Sequence, residues 1–275
     1  MEKKLGFIGT GNMGTALAKT IAASGLIRPE NIYIYDVDTT KAAELAKSLN
    51  VSLAGSNNDV VQNSDIVILA VKPMYIKTAL EGIKKDFTAG KILISIAVGV
   101  TISTYKEILG EDSKVIRTMP NTPAMVGEGM TLIACDKNIT ADEKKFALEL
   151  FSCVGKAEEL DEKFMSEVTA LTSSSPAYVF MFIEAMADAA VHSGLPRAQA
   201  YRLAAQAVMG SAKMVLDTGL HPGALKDMVC SPAGTTIEAV KVLEEKGFRA
   251  AVIDAMGECT RRAIEIGRGM SGDKK

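Results

Sequence analysis

Met1–Gly14 reads MEKKLGFIGTGNMG and runs directly into ALAKTIAASG. The apolar run Leu5 to Ile8 reads as a strand, and Gly9, Gly11 and Gly14 follow it at the G-x-G-x-x-G spacing. Helix-forming residues come next without a break, which is the strand–turn–helix context a dinucleotide fingerprint requires. Each glycine answers a separate demand. Gly9 lets the chain turn sharply out of the strand, Gly11 lets backbone approach a pyrophosphate, and Gly14 lets the helix pack close to the sheet. The first N–H groups of that helix and its dipole then attract phosphate charge. Taken without their context, the glycines would be equally at home in a tight turn that holds no ligand.

Working outward, Asn31 to Asp36 (NIYIYD) reads as a second strand ending in an acid. In the fingerprint such an acid, roughly 20 residues beyond the glycines, takes the ribose 2′-hydroxyl, so Asp36 points towards NAD. Thr39, Thr40 and Lys41 offer the opposite reading, a place for a 2′-phosphate, and Asp36 or Asp38 also suits the cap of a helix over Thr39 to Leu49. Ile66 to Val71 (IVILAV) is the continuous apolar run of a strand buried on both faces. It delivers Lys72 and Pro73 to the carboxyl end of the sheet, where ligands bind. Lys91 to Val100 gives another buried strand, with Gly99 letting backbone come near the crevice, and Lys114 to Met119 gives a sixth. The loop PNTPAMVGEG, Pro120 to Gly129, is stiff at one end and tightly turned at the other, as a site-building loop should be; Asn121 is its candidate substrate contact. Thr131 to Cys135 and Lys156 to Leu160, on either side of a helix at about 140 to 152, read as edge strands.

From Phe164 onward only helical segments are found. The expected organisation is therefore a doubly wound α/β Rossmann-type sheet over residues 1–163 followed by an all-α domain over 164–275. Pro176 to Ser193 (PAYVFMFIEAMADAAVHS) is apolar or small except for a stripe of Glu184, Asp188 and His192. A helix apolar nearly all round must be buried all round, so a second subunit is expected to cover it; a monomeric bundle with this helix at its centre is the alternative. Leu225 to Val240 (LKDMVCSPAGTTIEAV) breaks at Pro232 to Gly234 and restarts as a helix at Thr235 and Thr236. Threonines there suit a helix cap, and the same helix start could take a carboxylate.

Composition bounds the remaining possibilities. The 275 residues are enough for two domains. A formal charge of −2 gives no electrostatic case for nucleic acid or an anionic membrane, which leaves a small molecule as the expected partner. Cys135, Cys153, Cys230 and Cys259 are widely spaced and only two histidines are present, so neither a metal site nor a disulfide framework is expected, and a reducing cytoplasm fits best. No apolar run approaches the ~18 residues of a membrane span.

These stretches together resemble the pyrroline-5-carboxylate reductase family, over essentially the whole chain. The resemblance rests on FIGTGNMG, on AVKP (Ala70 to Pro73), on Ser95 to Gly99 (Ser-x-Ala-x-Gly), on Arg117 to Gly129, on SPAYVF (Ser175 to Phe180) and above all on LKDMVCSPAGTTIEAV. It implies a Rossmann domain, a helical dimerisation domain interleaved with its mate, a homodimer and often a ring of dimers. It also implies reduction of 1-pyrroline-5-carboxylate to L-proline, the last step of proline biosynthesis, by NADPH or NADH. Carried over by motif, Gly9, Thr10, Gly11, Asn12, Met13, Asn57, Ala70, Val71 and Lys72 line the cofactor, with Gly14, Asp36, Pro73, Ala97 and Gly99 beside them. Val229, Thr235 and Thr236 meet the substrate. One departure stands out: Ser173-Ser174-Ser175-Pro176 replaces the family's usual Gly-Ser-Gly-Pro, and serine narrows the backbone's choices there.

The scarcity of catalytic side chains suits this chemistry. A cyclic imine protonates to an iminium far more readily than a ketone is activated, so a strong general acid is not needed, and positioning carries the reaction. The Thr235/Thr236 helix start is expected to hold the carboxylate, with the Thr236 hydroxyl as the catalytic partner of the nitrogen. Two competing readings are an NAD(P)-binding sensor without turnover and a β-hydroxyacid dehydrogenase. The latter resembles a family with a catalytic lysine on the first long helix after the boundary, and Leu171 to Ala212 contains no lysine.

Overall fold

The computed structural model describes residues 3–270. Met1 and Glu2 of the opening stretch and the last five residues of the helical half lie outside the described residues. The chain divides into two compact units: residues up to Ser173 together with those from Cys259 onward, and Ser174–Glu258.

The first unit is an α/β sandwich. Its strands are β1 (Leu5–Ile8), β2 (Ile32–Tyr35), β3 (Ser52–Leu53), β4 (Ile66–Leu69), β5 (Ile92–Ser95), β6 (Lys114–Met119), β7 (Gly129–Cys135) and β8 (Gly155–Glu159). Its helices are α1 (Asn12–Ser24), α2 (Thr39–Leu49), α3 (Asn57–Asn63), α4 (Ile76–Ile83), α5 (Ile102–Leu109) and α6 (Ala141–Ser152). Among the described residues the sheet runs β3-β2-β1-β4-β5-β6-β7-β8, parallel except where β7 meets β6. Strand order reverses between β1 and β4, and such a switch point opens a crevice above the carboxyl ends of the strands.

Both faces of the sheet are covered. In β4, Ile66 and Ile68 join α1 and α6 on one side, while Val67 and Leu69 join α4 and α5 on the other, as the period-2 alternation of a strand dictates. All four are at most 2% exposed, which is why the run reads as continuously apolar.

Local signals fix the helix ends. Asp38 caps α2 by accepting a hydrogen bond from the Lys41 N–H, and Asn50 stops it in the left-handed conformation (φ 55°). Thr140 and Glu143 form a reciprocal capping box on α6.

Three expectations need correction. Thr131–Cys135 is not an edge strand, because β7 sits between β6 and β8 and the edges are β3 and β8. The runs Ile66–Val71 and Lys91–Val100 exceed their strands, which end at Leu69 and Ser95. Of the residues beyond them, Ala70, Val71 and Ile96 to Val98 line the crevice, and Val100 is buried in the core.

The second unit is helical: α7 (Ser175–His192), α8 (Arg197–Thr218), α9 (Pro222–Val229), α10 (Thr235–Glu245) and α11 (Phe248–Met270), whose last residues from Cys259 belong to the first unit. A π-helical turn, Thr169–Ser173, precedes α7. In α7 only Pro176 and Ala187 are buried, while Phe180 and Met181 are 61% and 69% exposed. The helix is therefore not the centre of a monomeric bundle. Among the described residues no helix is long and apolar enough to cross a membrane.

Candidate functional site

The glycine-rich loop is shaped by two close approaches. Gly9 has φ +101°, and a Cβ there would lie 2.7 Å from the Ala70 carbonyl oxygen; a Cβ on Gly14 would lie 2.4 Å from the Gly9 carbonyl oxygen. Both contacts are impossible for a larger residue without moving backbone. At Gly11 a Cβ would meet nothing within 4 Å, so the glycine leaves open space beside the start of α1. That helix has no side-chain cap and no acid in its first turn. Free N–H groups facing open space fit a pyrophosphate.

Two crevices meet at the switch point. One, of about 480 Å³, is walled by Gly11, Asn12, Met13, the Ala70–Pro73 turn and Ala97 with its neighbours. The other, of about 380 Å³, is lined by Gly9, Asp36, Asn57 and Val71, together with Val37, Tyr75, Thr78 and Ala79. Val71 belongs to both, so the expected cofactor contacts other than Thr10, Gly14 and Gly99 line one continuous region. Lys72 is exposed and precedes the short turn Pro73–Tyr75. Two of the expected residues also make contacts within the chain. Thr10 is 1% exposed and turns its hydroxyl to Asp36. Gly99 packs against Ile266 and Gly267 of α11.

Asp36 is held by the loop it faces. Its Oδ2 accepts the Thr10 backbone N–H at 2.5 Å and the Thr10 hydroxyl at 3.1 Å, and its Oδ1 accepts the Asp38 N–H at 3.0 Å. Burial alone would push this carboxyl up. The hydrogen bonds from Thr10 and Asp38 outweigh it and keep the pKa below the usual carboxylate value.

A buried polar network supports the wall at Ala97. The Ser95 hydroxyl lies 2.5 Å from the Tyr105 hydroxyl and accepts the Ala97 N–H at 3.2 Å. Burial pushes the Tyr105 hydroxyl well up, against the opposing effect of Ser95, so the phenol stays neutral and able to donate. Ser95 falls in a motif visible in sequence, but Tyr105 does not, and nothing local announces their pairing. Tyr75 and Thr78 were likewise missed, because they follow the crevice wall on a short turn and helix without a motif of their own.

Asn121 ties loops together: its Nδ2 donates to the Thr172 carbonyl at 3.0 Å and its Oδ1 accepts the Met130 N–H at 2.9 Å. Both ends of the amide are thereby engaged within the chain. Nearby Arg117, 6% exposed, pairs with Glu162 at 3.1 Å, and Glu162 also accepts the Ile102 N–H at 2.7 Å.

In the helical unit, Val229 ends α9 and Thr235 and Thr236 open α10, joined by a tight turn through Ala233 at φ 56°. Gly234, at the N-cap position, makes no side-chain cap hydrogen bond. Among the described residues the hydroxyls of Thr235 and Thr236 have no hydrogen-bond partner, and Val229 is 63% exposed. The helix start is thus an uncapped group of donors with two free hydroxyls, suited to a small anion.

Comparison with known proteins agrees with this geometry. Residues 162–266 match the family described as pyrroline-5-carboxylate reductase dimerisation, and residues 4–99 match the one described as NADP oxidoreductase, coenzyme F420-dependent. The chain is 52% identical to a pyrroline-5-carboxylate reductase of Escherichia coli, over 98% of this chain and 100% of the relative. It is 47% identical to one of Methanosarcina acetivorans, over 97% and 99%. A crystal structure of the Plasmodium falciparum pyrroline carboxylate reductase with NADP bound superposes with a TM-score of 0.88 at 35% identity, covering 97% of this chain and 99% of that one. With its dinucleotide crevice, its matched helical domain and this likeness along its full length, the chain belongs to the pyrroline-5-carboxylate reductase family.

Proposed function

We propose that this chain reduces 1-pyrroline-5-carboxylate to L-proline with NAD(P)H, the closing step of proline biosynthesis. The observation that carries the reading is 52% identity to an enzyme of that name over 98% of the chain. The open first turn of α1 beside Gly11 supports it. When bound, the nicotinamide supplies the hydride that adds to the imine carbon, which becomes C5 of proline.

The chain's own residues have modest tasks. Gly9 to Gly14 receive the pyrophosphate, Asp36 and Asn57 take the adenosine end, and Ala70 to Pro73 and Ala97 to Gly99 confine the nicotinamide end. Thr235 and the N–H groups at the start of α10 hold the substrate carboxylate and Val229 packs against its ring, while Asn121 fixes its own loop to the Thr172 and Met130 backbone. The Thr236 hydroxyl partners the ring nitrogen, whose proton the iminium already carries, so no stronger acid is needed. The helical unit is assigned to a homodimer, with dimers joined into a higher oligomer, and the cytoplasm is its assigned compartment.

The test is the initial rate of NADH or NADPH oxidation on adding 1-pyrroline-5-carboxylate, for the wild type and for Thr236→Val. The wild type should turn over, and the variant should lose about 10- to 100-fold in kcat/KM, the scale of one lost hydrogen bond to a charged group. Unchanged kinetics in the variant would remove Thr236 from the mechanism. Nucleotide binding without turnover in the wild type would instead favour a sensor.

A further inference from the structure

The loop from Ile96 to Thr101 joins β5 to α5, and Ile96, Ala97 and Val98 face the crevice that also holds Gly11 and the Ala70–Pro73 turn. Buried groups pin both of its ends. Where β5 stops, the Thr118 hydroxyl donates to the Ser95 carbonyl at 3.1 Å, and the Ser95 hydroxyl accepts the Ala97 N–H at 3.2 Å. Where α5 starts, Glu162, itself paired with Arg117, accepts the Ile102 N–H at 2.7 Å. In the middle α11 lies against the loop, since a Cβ on Gly267 would stand 3.1 Å from the Gly99 carbonyl oxygen. The weakest of these pins is the Ser95 side chain, because a serine hydroxyl has three staggered positions to choose from. Tyr105, inside α5, selects the one observed: its hydroxyl lies 2.5 Å from that of Ser95.

We propose that Tyr105 is a positioning residue for hydride transfer: its hydroxyl, bonded to Ser95, holds the Ala97 segment of the crevice wall where that segment orients the nicotinamide. This role rests on the NAD(P)H-dependent reduction proposed above and falls to a residue that lines neither crevice. A serine oxygen has two acceptor positions, and the Ala97 N–H and the Tyr105 O–H fill both. Tyr105 is 0% exposed, and burial keeps its phenol protonated and therefore a donor. With that hydroxyl gone, Ser95 is free to turn away. The Ala97 N–H, in a residue 5% exposed, then loses its acceptor, and the wall must shift to find it another. Coenzyme affinity is set mainly at Gly9 to Gly14, Asp36 and Asn57, away from this wall. What suffers is orientation, where a misplacement of about 1 Å can cost about 100-fold in rate.

The test is kinetic, on the full-length protein with 1-pyrroline-5-carboxylate and whichever of NADH and NADPH it oxidises faster, unlabelled or deuterated at the transferable C4 position. Tyr105→Phe keeps the buried ring and removes only the hydroxyl. Its kcat should fall about tenfold, while coenzyme affinity, read by calorimetric titration without substrate, stays within about twofold. The primary deuterium isotope effect on kcat should rise, because a slowed hydride transfer limits more of the turnover. Ser95→Ala removes the acceptor of Ala97 itself and should show the same pattern, so the test does not hang on one variant folding. The double variant should be no slower than Ser95→Ala alone, as expected of two groups acting through one bond. A pair with only a structural role would lower the urea midpoint of unfolding and leave kcat and the isotope effect of the folded enzyme unchanged. That result would overturn the inference, as would losses that multiply in the double variant. A wild type that binds nucleotide without reducing 1-pyrroline-5-carboxylate would remove the proposed substrate and this role with it; an active wild type with an unaffected Tyr105→Phe would remove this role alone.

Discussion

In the α/β unit Phe7, Ile68, Ile94 and Phe151 are each 0% exposed, whereas in α7 and α8 Phe180, Met181 and Met209 stand 61%, 69% and 56% exposed. The two units are comparably apolar in sequence and differ in how that surface is used. Alternating strand residues and the flanking helices give the α/β unit two closed cores, one on each face of its sheet. Within Ser174–Glu258 the fully buried residues are small: Pro176, Ala187, Ala200 and Ala204. An apolar face of this extent marks an association surface, in keeping with the match to a dimerisation domain. The α/β unit closes its cores within one chain; the helical unit leaves its large apolar side chains exposed, as a domain of homo-oligomer formation would.

The strongest way to break this contrast is to place charge on the open face. Replacing Phe180 and Met181 by Glu removes about 1.5–3 kcal/mol of burial per side chain in each protomer and adds buried charge. Sedimentation velocity should then show a 29.2 kDa species, with activity falling by at least about 100-fold. Leu53→Glu, at a side chain 49% exposed on edge strand β3, should leave the assembly intact and change stability by no more than about 0.5 kcal/mol. An intact oligomer in the first variant would contradict the division of roles.

A second substitution probes the closed unit. Lys106 of α5 is 5% exposed and meets both carboxylate oxygens of Asp136 at 3.0 Å. Asp136→Ala strands the ammonium inside and should cost about 3–5 kcal/mol in urea denaturation. Adding Lys106→Met should recover most of that loss, because the pair is costly mainly when broken. A loss that persists in the double variant would show that the pair contributes in its own right.

The smallest effect sharpens the helical side. Ala233 adopts φ 56° between α9 and α10, a conformation that costs an L-residue about 1–2 kcal/mol. Ala233→Gly should therefore raise stability by about 1 kcal/mol or less, since glycine also loses more freedom on folding. A destabilised variant would show that the turn is not strained.

Sequence legibility follows the range of the interactions involved. The fingerprint, helix α2 from Thr39 to Leu49 and strand β6 from Lys114 to Met119 were readable to the residue, because caps, turns and strand periodicity act over a few positions. The crevice residues Gly9, Asn57 and Ala70 to Lys72 were readable as motifs. Lys106 with Asp136, Ser95 with Tyr105, and Asn121 with Thr172 were not. Their partners lie 30, 10 and 51 positions apart, and only the folded sheet brings them together. The place of β7 inside the sheet was hidden for the same reason: its sequence states that it is a strand but not which neighbours it pairs with. Thr10 was read as a cofactor contact from its motif, while its bond to Asp36 across 26 positions emerged only from the fold.

The most direct measurement is mass spectrometry of proline formed from 1-pyrroline-5-carboxylate and NADH carrying deuterium at the transferable C4 position. The account expects L-proline with a single deuterium at C5, formed in step with NADH oxidation. Proline without deuterium, or NADH oxidised with no proline formed, would contradict hydride transfer to the imine carbon and the proposed function with it.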